Sequence, residues 1–289
     1  MSTCHVVEVV TPKRFILNGL WFGGARPKRV IVWVHGMFSS AFSMTRVVEA
    51  LANKDTAVLT FNNRGYEVVS EVNQRISATK KRWVRAGTAH EVFADCVDDI
   101  QGAVDFVRTT GVKQVFLAGH STGCQKIVYW TAKTGGKGTR GLILIAPLSD
   151  YAGESAKTAR ASVVTLAKRM VKAGKGRQLL PPGSWWHYAD AERFLSLYTP
   201  DSVEQSIFPY FDEKRSSKSF SSIKLSIIAL FAGEDEFADR PAERLVDWFK
   251  MHAKSKSFQA LIVPGVGHGF RGGEERVIRA IRMWIKQNE

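Results

Sequence analysis

The sequence predicts an α/β fold: a mostly parallel central sheet flanked by helices, with a helical cap inserted between two late strands. Three observations carry this. Short apolar runs rich in Val and Ile alternate with stretches whose apolar residues recur at helical spacing. The runs lack a polar face, the pattern of strands buried between two helical layers. The alternation is interrupted once, over residues 151–222, a span too long for a bare loop.

Residues 4–10 and 14–22 read as two strands joined by a turn at Thr11-Pro12-Lys13, the second ending in Gly23-Gly24. Residues 29–34 form an apolar run that ends in His35-Gly36-Met37-Phe38, and a helix over 43–53 puts Met44, Val47, Val48 and Leu51 on its inner face. A strand over 57–61 closes in Asn62-Asn63-Arg64-Gly65, and a polar, basic stretch leads to a helix over 91–110. There Val92, Val97, Ile100, Val104 and Val107 make one face, while Asp95, Asp98 and Asp99 sit near the start, where acid suits the helix dipole; their expected role is structural. Residues 115–118 are the next strand, and after Gly119-His120-Ser121-Thr122-Gly123 the chain turns helical, with Ile127, Val128 and Trp130 at core spacing. Residues 141–146 form a further buried strand. The interrupting span holds a basic helical segment (156–173), a Pro-Pro-Gly turn at 181–183, the run Trp185-Trp186-His187-Tyr188 and a second helical stretch. The sheet resumes at 225–231, followed by a helix (241–252), a strand (258–263) and a last helix (274–286). The expected domains are a core of residues 1–150 and 223–289 and a cap of residues 151–222.

Composition bounds the function. At 45% hydrophobic and 24% charged, the 289-residue chain is an ordinary globular sequence. It has no run of about 18 apolar residues, which argues against a transmembrane helix. The start MSTCHVVEVVTPKR lacks the basic-then-apolar order of a secretory signal. Cys4, Cys96 and Cys124 are odd in number and without metal-ligand spacing, which suits buried thiols in the cytoplasm. No ligand cluster or phosphate-binding Gly-rich loop implies a metal or organic cofactor. The net charge of +14 favours anionic partners, yet no zinc-finger spacing, RNP-like motif or basic tail supports nucleic-acid binding.

The chemistry is written around Ser121. A serine between two glycines, after a buried strand and before a helix, sits on a sharp turn that exposes its hydroxyl at the helix N-terminus. Unpaired N–H groups there favour negative charge developing in acyl transfer. On this motif and its context the chain resembles the α/β-hydrolase fold, with Ser121 in the nucleophile position. A serine needs a base, and the base needs a partner to fix its tautomer. The resemblance puts the histidine in the loop between the last strand and last helix, which is Pro264-Gly265-Val266-Gly267-His268-Gly269-Phe270. His5, His35, His90, His120, His187 and His252 compete less well: His120 neighbours the serine but points elsewhere, and His187 belongs to the cap. The acid falls in Gly233-Glu234-Asp235-Glu236-Phe237; Asp235 is preferred, with Glu236 and then Asp150 as alternatives. The family's oxyanion hole would use the backbone N–H groups of Met37 and Thr122, with His35 structural. Phe38, His120, Trp185 and Trp186 are the candidate substrate-binding residues.

Within that fold, Val34-His35-Gly36-Met37, Phe61-Asn62-Asn63-Arg64-Gly65, Glu234-Asp235-Glu236-Phe237 and Gly267-His268-Gly269-Phe270 resemble a sub-family related to fungal siderophore esterases. The resemblance implies a serine hydrolase of small to medium carboxylic esters acting through Ser121, Asp235 and His268. An acyltransferase or lactonase on the same triad, and a non-catalytic ligand-binding scaffold, are the alternatives. Charge placement has two readings, a solvated outer face of the cap, which is preferred, and a positive mouth that steers anionic substrates or an anionic lipid surface. Residues 151–180 carry Lys157, Arg160, Lys168, Arg169, Lys172, Lys175 and Arg177 against Glu154 alone, and residues 63–90 carry six cations against Glu67 and Glu71. Both segments leave the carboxyl end of the sheet, where open α/β folds bind ligands.

Overall fold

The computed structural model describes residues 4–153 and 157–289. Glu154 and Ala156, counted above in the basic segment of the cap, lie outside the described residues, as do residues 1–3 of the N-terminus. Ten strands form one mixed sheet. Its parallel body is β3 (Arg29–Val34), β4 (Thr56–Phe61), β7 (Gln114–His120), β8 (Gly141–Ile145), β9 (Ser226–Ala232) and β10 (Phe258–Val263). β1 (Cys4–Val10), β2 (Phe15–Phe22), β5 (Ser70–Arg75) and β6 (Lys81–Ala86) extend it in antiparallel register. The order β10-β9-β8-β7-β3-β4-β2-β5-β6, with β1 paired to β2, sets β7 between β3 and β8. That places the turn after β7 near the middle of the sheet's carboxyl edge.

The period-two alternation of strand side chains divides the core. Val30, Val32 and Val34 of β3 face one buried cluster, while Ile31 and Trp33 face the other. The first is closed by α2 (Cys96–Thr109), α3 (Thr122–Thr134) and α8 (Ala242–His252), through residues such as Ile100, Ile127 and Phe249. The second is closed by α1 (Thr45–Leu51) and α9 (Glu274–Gln287), which supply Val47, Leu51, Ile281 and Trp284. Between β8 and β9 lie α4 (Asp150–Gly153), α5 (Lys157–Lys172), α6 (Ala191–Tyr198) and α7 (Lys218–Ser222). α5 and α6 share a small apolar cluster that includes Val163, Ala167, Phe194 and Leu197. Among the described residues no helix is long and apolar enough to cross a membrane.

Three expectations need correction. The basic stretch after β4, read only as leading to a helix, contains a β-hairpin, β5–β6. One of its faces meets solvent, so only Val72 and Ala86 are buried and the strands read as polar. The next helix begins at Cys96 rather than 91, after 3₁₀ turns at Thr88–His90 and Phe93–Asp95, and Val92 is exposed. Its aspartates serve Arg64 more than the helix dipole: Arg64 Nε donates to Asp99 Oδ1 at 2.7 Å, and one Nη to Asp98 Oδ2 at 3.0 Å. This ties the end of β4 to α2. Finally, Cys96 and Cys124 are buried, but Cys4 is exposed on β1.

Candidate active site

Ser121 stands between β7 and α3 with φ 56° and ψ −127°, a backbone state that L-residues rarely adopt. The flanking glycines do not themselves take positive φ; they permit close approach. A Cβ on Gly119 would lie 2.4 Å from Gly123 O, and one on Gly123 would lie 2.2 Å from Val34 O. β7, β3 and α3 therefore touch backbone to backbone, and the strain falls on the serine. Gly36, after β3, is equally confined, because a Cβ there would meet Ser121 Cβ at 2.8 Å. The loop carrying Met37 is thus pressed against Ser121.

His268 lies in the turn between β10 and α9. Its Nδ1 is 2.9 Å from Asp235 Oδ2 and 3.0 Å from Oδ1, and the Asp235 side chain is only 4% exposed. An imidazole Nδ1 shared with a carboxylate carries the proton, which leaves Nε2 as the basic nitrogen. Glu236 takes a different post: its Oε2 accepts from the His268 backbone N–H at 2.8 Å, and that bond holds the Glu236 carboxyl below its usual range. The third alternative acid, Asp150, makes no contact with the His268 ring among the described residues. Phe237 packs edge-on to that ring, with centroids 5.0 Å apart.

Ser121 and His268 line one cavity of about 170 Å³, with Met37, Thr122, Asp150 and an apolar wall that includes Phe38, Trp186 and Phe237. No direct hydrogen bond joins Ser121 to His268 among the described residues. Such contacts are commonly long until substrate is bound. Among the described residues the backbone N–H groups of Met37 and Thr122 have no acceptor, and both border the cavity at the N-terminus of α3.

Two of the candidate substrate-binding residues do not line this cavity. His120 is absent from the cavity wall; its ring turns to the far side of the elbow, where Nε2 lies 3.1 Å from His268 O. Burial, with His268 beside it, lowers its pKa to about 4, so this neutral ring donates to the carbonyl. Trp185 also misses the cavity, packing instead on Phe194 and Tyr198. Phe38 and Trp186 do line it, 5.9 Å apart between centroids. Among the described side chains, the cations of the two basic segments lie off its wall. Arg64 is held by aspartates, Arg177 by Asp190, and Arg160 packs on Tyr151. Lys168, Arg169 and Lys172 face solvent on α5, and Lys175 does so just after it.

Beneath the site runs a buried ionic network that the sequence reading missed. Lys126 of α3 meets Glu91 at 2.5 Å, Glu91 meets Arg193 of α6 at 2.9 Å, and Arg193 meets Glu204 at 2.5 Å. Lys126 also donates to Asn63 Oδ1 at 3.2 Å. His35 Nδ1 donates to Gly36 O at 2.8 Å, and burial, with Lys126 nearby, lowers its pKa to about 3. The network joins α3, the loop before α2, and α6. The one available signal was local: Lys126 occupies a core-facing stretch of α3 that has no solvent side.

Residues 57–286 match the model of a family described as "Protein of unknown function (DUF1749)". No curated protein matches the chain by sequence. Among solved structures it is similar to DcsB in complex with a substrate analogue, at 13% identity and TM-score 0.71, covering 99% of both chains. It is similar to the siderophore hydrolase EstB from Aspergillus fumigatus, at 14% identity and TM-score 0.68, covering 98% of both. The α/β hydrolase GrgF from Penicillium sp. sh18 is similar at 15% identity and TM-score 0.68, with 99% of both chains covered.

Proposed function

The chain belongs to the DUF1749 family and has the α/β-hydrolase fold, and from that footing we propose that it is a serine hydrolase of carboxylic esters. One observation carries the reading: a histidine bonded through Nδ1 to a buried aspartate shares a cavity with a serine on a strained strand-to-helix turn. Nothing about a binding scaffold requires that coincidence.

Ser121 Oγ attacks the ester carbonyl carbon while His268 Nε2 takes its proton, and Asp235 stabilises the resulting imidazolium. The carbonyl oxygen becomes an oxyanion that accepts from the N–H groups of Met37 and Thr122; one such donor is typically worth roughly 10²–10³ in rate. Collapse expels the alcohol, which leaves with the proton from His268, and an acyl group remains on Ser121. Water, deprotonated by His268, attacks that acyl carbon; the acid departs and Ser121 regains its proton. The segment 151–222 acts as a cap, supplying Trp186 and Tyr198 to the wall. A cavity of about 170 Å³ suits a small to medium acyl chain. The three unpaired cysteines support the cytoplasm as the place of work.

A panel of p-nitrophenyl esters of graded chain length tests this, with the native protein and Ser121→Ala. The native protein is expected to turn over the shorter esters and to be labelled by a fluorophosphonate, and the variant to do neither. Acid release without transfer to added alcohols or thiols separates hydrolysis from acyl transfer. Equal turnover by both proteins would remove Ser121 from the chemistry.

A further inference from the structure

Among the described residues the cavity wall is apolar and aromatic apart from Ser121, Thr122, His268, a Tyr198 hydroxyl and the pair Ser149 and Asp150 at the start of α4. Asp150 is the exceptional member, an acid on a wall where no Lys or Arg stands among the described residues. It does not belong to the His268 relay, since the ring nitrogen meets Asp235. Two glutamine amides hold it at long range: Gln125 Nε2 and Gln205 Nε2 each lie 3.4 Å from Asp150 Oδ2. The Gln125 amide nitrogen has a firmer partner, and Gln205 is anchored through its amide oxygen. Gln125 donates to Leu148 O at 2.8 Å, and Gln205 Oε1 accepts from Ser149 Oγ at 2.8 Å and from the Tyr151 N–H at 3.1 Å. The glutamines thus orient the carboxyl without satisfying it, and no salt bridge reaches it among the described residues. Burial, reinforced by nearby Glu204, raises its pKa to about 6.

We propose that Asp150 is a specificity-determining residue whose carboxyl accepts a hydrogen bond from a hydroxyl or amine on the part of the ester that fills the cavity. A half-buried acceptor on the cavity wall, held by two long amide contacts and its own backbone N–H, is short of partners once the cavity loses water, and a substrate donor restores what desolvation removes. A site built around such an acceptor discriminates strongly against the analogue lacking the donor. A carboxylate at the same place meets like charge and is rejected. This rests on the ester-hydrolase reading and narrows it: the preferred substrates carry a donor near the scissile ester, and the surface cations do not make the cavity itself a site for anions.

The test compares p-nitrophenyl hexanoate with its hydroxyl-bearing isomers and with the 6-aminohexanoate and adipate monoester, on the native protein, Asp150→Leu and Asp150→Asn. The native protein is expected to prefer at least one donor-bearing ester over hexanoate by about tenfold or more in kcat/KM, and to disfavour the adipate monoester. The preference is an internal ratio, independent of the fraction of protein folded, and Asp150→Leu is expected to erase it. Should the Leu variant not fold, isosteric Asp150→Asn is expected to lose any preference for the amine. A native protein that cleaves the whole panel without preference overturns the inference and leaves the esterase reading standing, as does a preference that survives both substitutions. A protein that cleaves none of the panel overturns the esterase reading, and this inference with it.

Discussion

His268 engages two consecutive acids in two different ways: its ring Nδ1 lies 2.9 Å from Asp235 Oδ2, and its backbone N–H donates to Glu236 Oε2 at 2.8 Å. The first contact fixes a tautomer, and the second pins the loop that carries the ring. Their losses should differ in kind. Asp235→Asn is expected to lower kcat by about 10³–10⁴ with little change in KM, because the amide favours the wrong tautomer. Glu236→Gln is expected to cost less than about tenfold, since the amide oxygen still accepts the backbone bond. Steady-state kinetics on one p-nitrophenyl ester checks both; a reversed order would make Glu236 the orienting acid.

The elbow's geometry predicts a cost at a residue that touches no substrate. A methyl at Gly123 would press on the backbone oxygen of Val34 at 2.2 Å, where no flexible side chain can yield. Gly123→Ala is expected to lose about 1–3 kcal/mol of stability and most of the activity, as β3 and α3 move apart beside Ser121. Gly24→Ala is the control, because a Cβ there meets nothing within 4 Å; its effect should stay within about 0.5 kcal/mol. Urea melts of the two variants make the comparison.

The ionic network makes a further claim on stability. Arg193 is fully buried between Glu204 and Glu91, and it is the cation that pairs with Glu204, while Glu91 also meets Lys126. Removing Arg193 strands Glu204 as an uncompensated buried charge, at roughly 3–5 kcal/mol. Arg193→Met is therefore expected to shift the urea midpoint far more than Arg177→Met, whose guanidinium is nearly half exposed. Comparable shifts for the two would mean the network is solvated.

His35 ties stability to acid. Its folded pKa of about 3 lies below the ordinary imidazole value, so between about pH 3 and 6.5 the unfolded chain binds the extra proton and the folded protein resists it. Its contribution is complete above 6.5 and lost as pH falls. Asp99 and Asp150, both raised to about 6 chiefly by burial, act oppositely, because the folded protein holds a proton that the unfolded chain releases above about 4. The native curve is flattened by this opposition, and the difference between native and His35→Gln isolates the histidine. That difference should shrink by up to about 1.4 kcal/mol per unit as pH is lowered below 6.5. A pH-independent difference would place the His35 proton elsewhere.

The parallel body was legible because strands buried on both faces leave unbroken apolar runs, and β4 and β9 are buried at every position. Ser121 and His268 were legible because glycines cluster where backbones meet or turn. The β5–β6 hairpin was hidden because Trp83 and the alternate charges on one face meet solvent, which erases the apolar signature. His120 and Trp185 illustrate a different limit: adjacency to Ser121 or Trp186 in the chain says nothing about which side of a turn or helix pair a ring faces. Arg64, Lys126 and Arg193 were hidden for a third reason. A charge is ordinarily read as exposed, and only tertiary partners reveal it as buried.

The exposed cations lead to a prediction about encounter rather than binding. Lys168, Arg169 and Lys172 on α5, Lys175 just after it, and Lys80, Lys81, Arg82 and Arg85 around the hairpin, face solvent without lining the cavity. Charges so placed attract an anion over roughly a Debye length and then make no contact with the reacting bond. For an ester whose anionic group lies on the part outside the cavity, kcat/KM is therefore expected to fall as salt rises from about 0.01 to 1 M, over which the Debye length shrinks from about 30 to 3 Å. The matched neutral ester should stay flat, and kcat should be insensitive for both. Charge reversal at Lys168 and Lys172 is expected to weaken the slope, while reversal at a cation remote from the cap, such as Arg282, leaves it unchanged. A salt effect equal for anionic and neutral esters would assign it to the protein's stability and not to its field.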